Sequence, residues 1–100
     1  MSKDLSTLPP SYKKDVEKAI EILKNEGCED VYLFGSLAKG DIKEGSDIDL
    51  AIKGCPPGKY FNLIGKLMVE LNHSVDLVNL DKDEDFAFFL SEEGELVYVS

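Results

Sequence analysis

Residues 46–52 alternate polar and apolar side chains for most of their length. An alternation with a period of two predicts a β-strand, because successive side chains of a strand point to opposite faces of the sheet. The apolar residues of this run then form one face, and Asp47 and Asp49 lie together on the other. A strand of this kind needs a sheet with one buried face, so it limits the chain to folds built around such a sheet.

The rest of the chain alternates between helical and extended patterns. We predict helices over residues 10–26, 57–72 and 81–93, a helical turn over 37–40, and further strands over 30–34, 74–80 and 96–99. This order predicts a small mixed β-sheet with helices packed on it, in the α/β (α+β) class. The first two strands are joined by a polar loop, which favours antiparallel pairing, and the next two by a helix, which favours a parallel crossover.

Apolar residues recur at helical spacing in the second and third predicted helices. A stripe of this kind is typical of a helix face that packs on a sheet, rather than of a cofactor site. The residues expected to point into the core are Tyr60, Leu63, Ile64, Leu67, Met68 and Leu71 in the second helix, and Phe86, Phe89 and Leu90 in the third.

Length and charge exclude several classes of protein. The chain has 100 residues, with 11 lysines, no arginine and 20 acidic residues, so its net charge is −9. We expect one domain over residues 1–100, with residues 1–8 as a loosely held leader. The negative charge would repel a polyanion, so direct nucleic-acid binding is not expected. Without a bilayer-length apolar stretch or a secretory signal, we expect a cytoplasmic protein with no membrane role.

The two cysteines and the single histidine are not expected to form a site. Cys28 and Cys55 lie far apart in the sequence and belong to no C-x-x-C motif, so we predict two reduced thiols rather than a disulfide or a zinc site. His73 lies at a helix-to-strand junction, where we expect a capping or surface role.

A third carboxylate interrupts the otherwise apolar strand predicted over residues 74–80. If this strand lies beside the second, Asp76 joins Asp47 and Asp49 in one cluster. Three carboxylates suit Mg²⁺, which prefers hard oxygen ligands and keeps positions open for water and phosphate. In the alternative interpretation, Asp76 faces solvent at a sheet end or caps a turn.

Gly35 and Ser36 follow the first predicted strand, where a helical turn begins. Glycine lets the backbone come close to a ligand, and a serine at a helix start offers a hydroxyl and an N–H to an anion. Ten residues separate Ser36 from Asp47, which is enough for a turn, a loop and an adjacent strand. A phosphate held at Ser36 would then face metal ions on the carboxylates.

The stretches over residues 33–40 and 45–52, followed by a later strand aspartate, resemble the nucleotidyltransferase superfamily that includes DNA polymerase beta. The short build is similar to its minimal nucleotidyltransferase (MNT) branch. This resemblance implies a mixed sheet that binds a nucleoside triphosphate, such as ATP, through two Mg²⁺ ions. Members often carry arginine after the Gly-Ser pair and again two residues later, where this chain has Leu37 and Lys39.

The resemblance also implies roles for individual residues. Asp47, Asp49 and Asp76 would be the catalytic metal ligands, and Asp76 would help to activate the acceptor hydroxyl. The triphosphate would be held by Gly35 and Ser36, with Lys39 as either a phosphate contact or a solvated surface lysine.

The acceptor of the nucleotide must be bound by a partner or a second copy, because a chain of this length has no room for an acceptor domain. The resemblance implies a helical HEPN-type toxin as partner, which this chain would neutralise as an antitoxin by transferring AMP from ATP to a hydroxyl. Two alternatives stay open. The chain could be a partner subunit that acts by binding alone, or a transferase that modifies a small molecule or nucleic acid within an assembly.

Overall fold

The computed structural model describes residues 8–40, 45–82, 84–93 and 96–100, without the side chains of Ser36, Lys39 and four residues of the last helix. Within these ranges, four helices and four strands follow one another. They are α1 (Pro10–Asn25), β1 (Asp30–Phe34), α2 (Gly35–Lys39), β2 (Ile48–Lys53), α3 (Tyr60–Glu70), β3 (Val75–Asn79), α4 (Glu84–Glu93) and β4 (Val97–Tyr98).

The predicted elements are all present, and they differ from the structure mainly at their ends. Strand β1 has the predicted bounds, and α1 ends one residue earlier than expected. Strand β2 begins at Ile48, so Asp47 lies just before the strand rather than inside it. Helix α3 begins at Tyr60, three residues later than predicted, because a turn over residues 57–58 precedes it.

The four strands form one mixed sheet in the order β3-β2-β1-β4. Strand β1 pairs antiparallel with β2 and with β4, whereas β2 pairs parallel with β3. Both predicted pairings are therefore confirmed, and the helix between β2 and β3 serves as the crossover. The fold is that of a small mixed α/β sheet, and β2, which carries Asp49, lies between β1 and β3.

One face of the sheet holds the larger core. Ile48, Leu50 and Ile52 of β2 are fully buried there, together with residues of α1 and α3 such as Leu23 and Leu63. The opposite face carries a smaller apolar cluster around Phe34, Ala51 and Leu80, against which Phe86 of α4 packs. Because strand side chains alternate between faces, Asp49 lies on this second, less covered face.

Three expectations about burial are wrong. Met68 and Phe89 are mostly exposed, because each lies on the outer side of its helix rather than against the sheet. Leu8 was assigned to the loose leader, yet it is buried in the larger core beside α1. Residues 1–7 and the side chain of Leu90 lie outside the described part of the chain.

The prediction of two reduced thiols is also wrong, since Cys28 and Cys55 form a disulfide. The antiparallel register of β1 and β2 explains their meeting. It pairs Asp30 with Lys53, and two residues further along the same register Cys28 stands opposite Cys55. Sequence separation alone gave no sign of this, because the pairing depends on the register.

No helix within the described ranges is both long and apolar enough to cross a membrane.

Candidate active site

Asp49 and Asp76 stand side by side on the second face of the sheet. The parallel register of β2 and β3 pairs these two residues directly, so their side chains share one face. The prediction that the third strand lies beside the second is therefore confirmed, and with it the meeting of these two carboxylates. Asp76 is exposed, and Asp49 is half-buried.

The electrostatics of Asp49 reflect this arrangement. Partial burial, with the negative charges of Asp76 and then Asp47 as further causes, raises the pKa of the Asp49 carboxyl to about 6. Burial disfavours the charged form, and two neighbouring anions disfavour it further. The other two predicted carboxylates therefore both act on Asp49, although Asp47 lies in the segment before β2.

Gly35 lies against the carboxylate of Asp49. It follows β1 directly, and its φ of 72° is one that side chains other than glycine rarely adopt. A β-carbon built at this position would lie 3.0 Å from Cγ of Asp49 and would overlap its Oδ2. The glycine thus makes room for the carboxylate beside the start of α2, where the sequence predicted a triphosphate site.

Ser36 and Lys39 follow Gly35 in α2, but their side chains lie outside the described part of the structure. Their predicted contacts with phosphate therefore stay predictions.

The three carboxylates fit a divalent cation by their chemistry. Carboxylate oxygens are the ligands that Mg²⁺ prefers, and a cation would offset the repulsion that raises the pKa of Asp49. Within the described ranges, no three acidic, histidine or cysteine side chains converge as a group that could hold a metal ion. The register brings Asp49 and Asp76 together as strand partners, whereas Asp47 lies in the segment that leads into β2.

A groove of about 630 Å³ opens beside this pair, along the outer edge of β3. We call it the edge groove. Asp76 and Leu77 of β3 line it together with Tyr60 and Phe61 of α3, and Lys82 lies beyond the end of the strand. The hydroxyl of Tyr60 donates a hydrogen bond to the carbonyl of Leu77. Burial, and then the charge of Asp76, raises the pKa of the Tyr60 hydroxyl.

Sequence reasoning missed a second cluster, which we call the Asp15 corner: Tyr12, Asp15 and His73. Oδ2 of Asp15 accepts hydrogen bonds from the backbone N–H of Asn72 (2.9 Å) and of His73 (2.9 Å), and from Nδ1 of the His73 ring (2.6 Å). The ring of Tyr12 stacks on that of His73 at 3.9 Å, and its hydroxyl donates to the carbonyl of Ser46 at 2.9 Å.

The Asp15 corner positions both segments that bear site carboxylates. Ser46 immediately precedes Asp47, and His73 lies three residues before Asp76. A signal for it existed in the sequence, since Asp15 interrupts the buried stripe of α1 that Tyr12, Ala19 and Leu23 define. A carboxylate on an apolar helix face needs buried donors.

Comparison with known proteins agrees with this geometry. Residues 17–100 match the family model described as "Polymerase beta, Nucleotidyltransferase". No curated protein sequence matches the chain.

Solved structures give a consistent picture. A chain of a toxin–antitoxin crystal structure with AMP-PNP is 26% identical, with a TM-score of 0.65 over 82% of this chain and 69% of that one. A mutant of the toxin–antitoxin MntA–HpeT is 30% identical, with a TM-score of 0.54 over 65% of this chain and 56% of that one.

A third structure shows the fold alone. It is a tri-AMPylated Shewanella oneidensis HEPN toxin in complex with an MNT antitoxin, 23% identical, with a TM-score of 0.60 over 86% of this chain and 69% of that one. Because the family match covers most of the chain and includes every residue of the candidate site, the chain belongs to the polymerase beta nucleotidyltransferase family.

Proposed function

We propose that this chain is a Mg²⁺-dependent nucleotidyltransferase that transfers AMP from ATP to a hydroxyl of a HEPN-type toxin, and so acts as its antitoxin. The single observation that carries the proposal is the pairing of Asp49 with Asp76 on adjacent parallel strands, with Asp47 close enough to help raise the pKa of Asp49. Such mutual repulsion costs stability, and a site that holds cations explains why it is kept.

The chain's own residues divide the work of the reaction. Asp47, Asp49 and Asp76 would hold the ions, which when bound neutralise negative charge on the triphosphate and the reacting oxygens. Gly35 brings backbone close to Asp49, where the triphosphate would lie with Ser36 and Lys39. These groups orient the nucleotide so that the acceptor oxygen attacks in line.

The step itself balances without further reactants. The acceptor oxygen forms a bond to the α-phosphorus, and the bond between that phosphorus and the bridging oxygen of the β-phosphate breaks. The electron pair of the broken bond leaves with pyrophosphate, and the proton of the acceptor hydroxyl passes to Asp76. Asp76 is suited to this role because it is exposed at the edge groove, where an acceptor can reach it.

Two observations support a protein acceptor. The toxin–antitoxin structures named above include one with AMP-PNP and one with an AMPylated HEPN toxin, and both share the fold of this chain. The net charge of −9 also favours a basic partner through long-range attraction.

The test is transfer of label from [α-³²P]ATP with Mg²⁺ to a co-expressed HEPN-type protein. We expect label on that protein with the wild type, and none with Asp49→Asn. A matched control is Glu17→Gln, which removes the same charge from an exposed site on α1 and leaves transfer intact.

Other results would replace the proposal. If Asp49→Asn still neutralises the toxin, the chain acts by binding alone. If label appears only on a small molecule or on nucleic acid, the acceptor is not a protein.

A further inference from the structure

We propose that the outer edge of β3 binds an extended, basic, hydroxyl-bearing segment of the partner protein as an added strand, which brings the acceptor hydroxyl to Asp76. This inference rests on the proposed function, because it specifies how the acceptor of that reaction is held. It concerns the edge groove and the outward backbone groups of β3, which the proposed catalytic site shares only through Asp76.

The hydrogen bonds at the two ends of β3 establish which of its backbone groups point outward. The N–H of Ile48 donates to the carbonyl of Ser74 at 2.8 Å, and the N–H of Leu80 donates to the carbonyl of Ile52 at 2.9 Å. Residues 74 and 80 therefore face β2. Since N–H and C=O directions alternate along a strand, residues 76 and 78 face β2 as well, and residues 75, 77 and 79 face away from it.

Only part of this outward edge is satisfied within the described chain. The carbonyl of Leu77 accepts from the Tyr60 hydroxyl, and the carbonyl of Asn79 accepts from the N–H of Lys82 at 3.1 Å. Among the described residues, none accepts the N–H of Leu77 or of Asn79, and no strand lies on this side, because β3 is the first strand of the sheet. Two donors at alternate positions match the spacing of a peptide backbone.

Tyr60 and Lys82 cover part of this edge by donating to the carbonyls of Leu77 and Asn79, but three common protections against strand addition are missing from residues 75–79. Edge strands are commonly protected by proline, by lysine or by a bulge, but residues 75–79 contain neither proline nor lysine, and their pairing with β2 runs without interruption. Beside the edge, the groove of about 630 Å³ provides space, and Phe61 forms part of its wall with 83% of its surface exposed. An apolar side chain of an added strand would cover that ring.

Charge and position determine the character of the occupant. Asp76 lines the groove and is paired with Asp49, so a segment bound along β3 passes the carboxylate that would receive the hydroxyl proton. Lys82 also lines the groove, but the carboxylates and the net charge of −9 favour lysine and arginine side chains over a nucleic-acid backbone. An extended basic peptide satisfies the outward amides, the apolar wall and the charge together.

Backbone hydrogen exchange of the complex with the HEPN-type protein tests this inference directly. It is measured with Asp49→Asn and without ATP, so the result does not depend on catalysis. In the chain alone, we expect the amides of Leu77 and Asn79 to exchange quickly and those of Asp76 and Val78 to be protected by β2. On complex formation, exchange at Leu77 and Asn79 should slow by at least roughly tenfold, with Asp76 and Val78 little changed.

A matched pair of variants tests the same edge by affinity. Asn79→Pro removes the outward N–H without removing a bond to β2, whereas Asn79→Ala keeps the N–H and loses only the side chain. We expect the proline variant to weaken the binding of the HEPN-type protein at least roughly tenfold more than the alanine variant. The binding of ATP should be the same in both.

A second pair of variants distinguishes the contribution of the edge groove from that of the remaining exposed surface of α3. Phe61 and Val69 are exposed to the same degree, 83% and 82%, but only Phe61 lines the edge groove. Phe61→Ser should raise the KM for the partner protein without changing the KM for ATP, and Val69→Ser should change neither.

The outcomes distinguish this inference from the proposed function. Label transfer without protection of Leu77 and Asn79 would overturn the added strand and leave the transferase intact. Protection without label transfer would support the added strand and overturn the transferase. Equal binding by the two Asn79 variants, or protection by RNA instead of the protein, would contradict the inference.

Discussion

Two carboxylates of this small domain, Asp15 and Asp49, differ in the groups that surround them when they are fully or partly buried. Asp15 is 3% exposed and accepts three hydrogen bonds, two from backbone N–H groups and one from the ring of His73. Asp49 is half-buried, and it faces the negative charges of Asp76 and Asp47, which help to raise its pKa to about 6. The first is surrounded by donors and the second by other anions.

The difference shows how to recognise function in a carboxylate. A buried acid with a complete set of donors is explained by structure, since the donors compensate for its lost hydration. An acid that faces other acids is destabilised by its neighbours, and a cation bound there would offset this repulsion. The Asp15 corner therefore holds the segments that precede Asp47 and Asp76, whereas the Asp49–Asp76 pair carries the proposed chemistry.

The sharpest way to separate the two carboxylates is to remove one charge at a time and measure transfer. Asp49→Asn should lower the rate of AMP transfer on the order of a hundredfold or more, because the electrostatic support for the transition state is lost. The assay is label transfer to the HEPN-type protein under saturating ATP. A variant that kept the wild-type rate would exclude the metal-ion role of Asp49.

Removing the carboxylate of Asp15 should act on stability instead. Asp15→Ala leaves three partly buried donors without this acceptor, so we expect the free energy of unfolding to fall by about 2–4 kcal/mol. Urea denaturation followed by circular dichroism measures this loss, with Glu17→Gln as the exposed control on the same helix. A loss no larger than that of the control would show that the Asp15 corner contributes little.

A third variant tests the close approach of Gly35 to the carboxylate of Asp49. Gly35→Ala combines an unfavourable φ of 72° with overlap onto the carboxylate, so we expect about 1–3 kcal/mol of destabilisation and weaker nucleotide binding. Gly40→Ala is the matched control, because its φ is 80° but no atom of the described residues lies within 4 Å of the added carbon. If both variants lose the same stability and bind ATP alike, the contact with Asp49 has no consequence.

The smallest expected effect concerns pH. The folded-state pKa of Asp49, about 6, lies above the ordinary value of 3.8, so the folded chain binds more protons between those values than the unfolded chain does. Stability from this group is therefore present at low pH and is lost as pH rises through about 4 to 6. Solvent screening at a half-buried site reduces the effect to about 1 kcal/mol.

Asp49→Asn should remove that pH dependence. In EDTA, we expect the variant to be about 1 kcal/mol more stable than the wild type at pH 7.5, and the gap to close near pH 4. Thermal unfolding at both pH values measures the difference. A gap that widened towards acid would show that Asp49 is stabilised as an anion in the folded chain.

Local pattern was sufficient to predict much of the fold. Periodicity identified every helix and strand, and the connections gave the right strand directions, because each depends on neighbours close in sequence. The pairing of Asp49 with Asp76 followed from one assumption about strand order, which the structure confirms.

The features that the sequence did not reveal depend on contacts between distant segments. The disulfide needed the β1–β2 register, and the Asp15 corner needed α1 to meet the turn before β3. The outward positions of Met68 and Phe89 depend on how each helix is rotated about its axis, which a stripe of six or three apolar residues does not determine. The edge groove follows from β3 being the first strand of the sheet, and that position comes from the assembled topology.

Strand β2 has a consequence for anyone who engineers this domain. Asp49 and its neighbours Ile48 and Leu50 lie on opposite faces of the strand, so the backbone links the Asp49 carboxylate directly to the packing of the larger core. We expect substitutions that change the side-chain volume at Ile48 or Leu50 to shift the carboxylate oxygens of Asp49 by fractions of an ångström. Mutants selected purely for heat tolerance at those inner positions should therefore be screened for turnover as well.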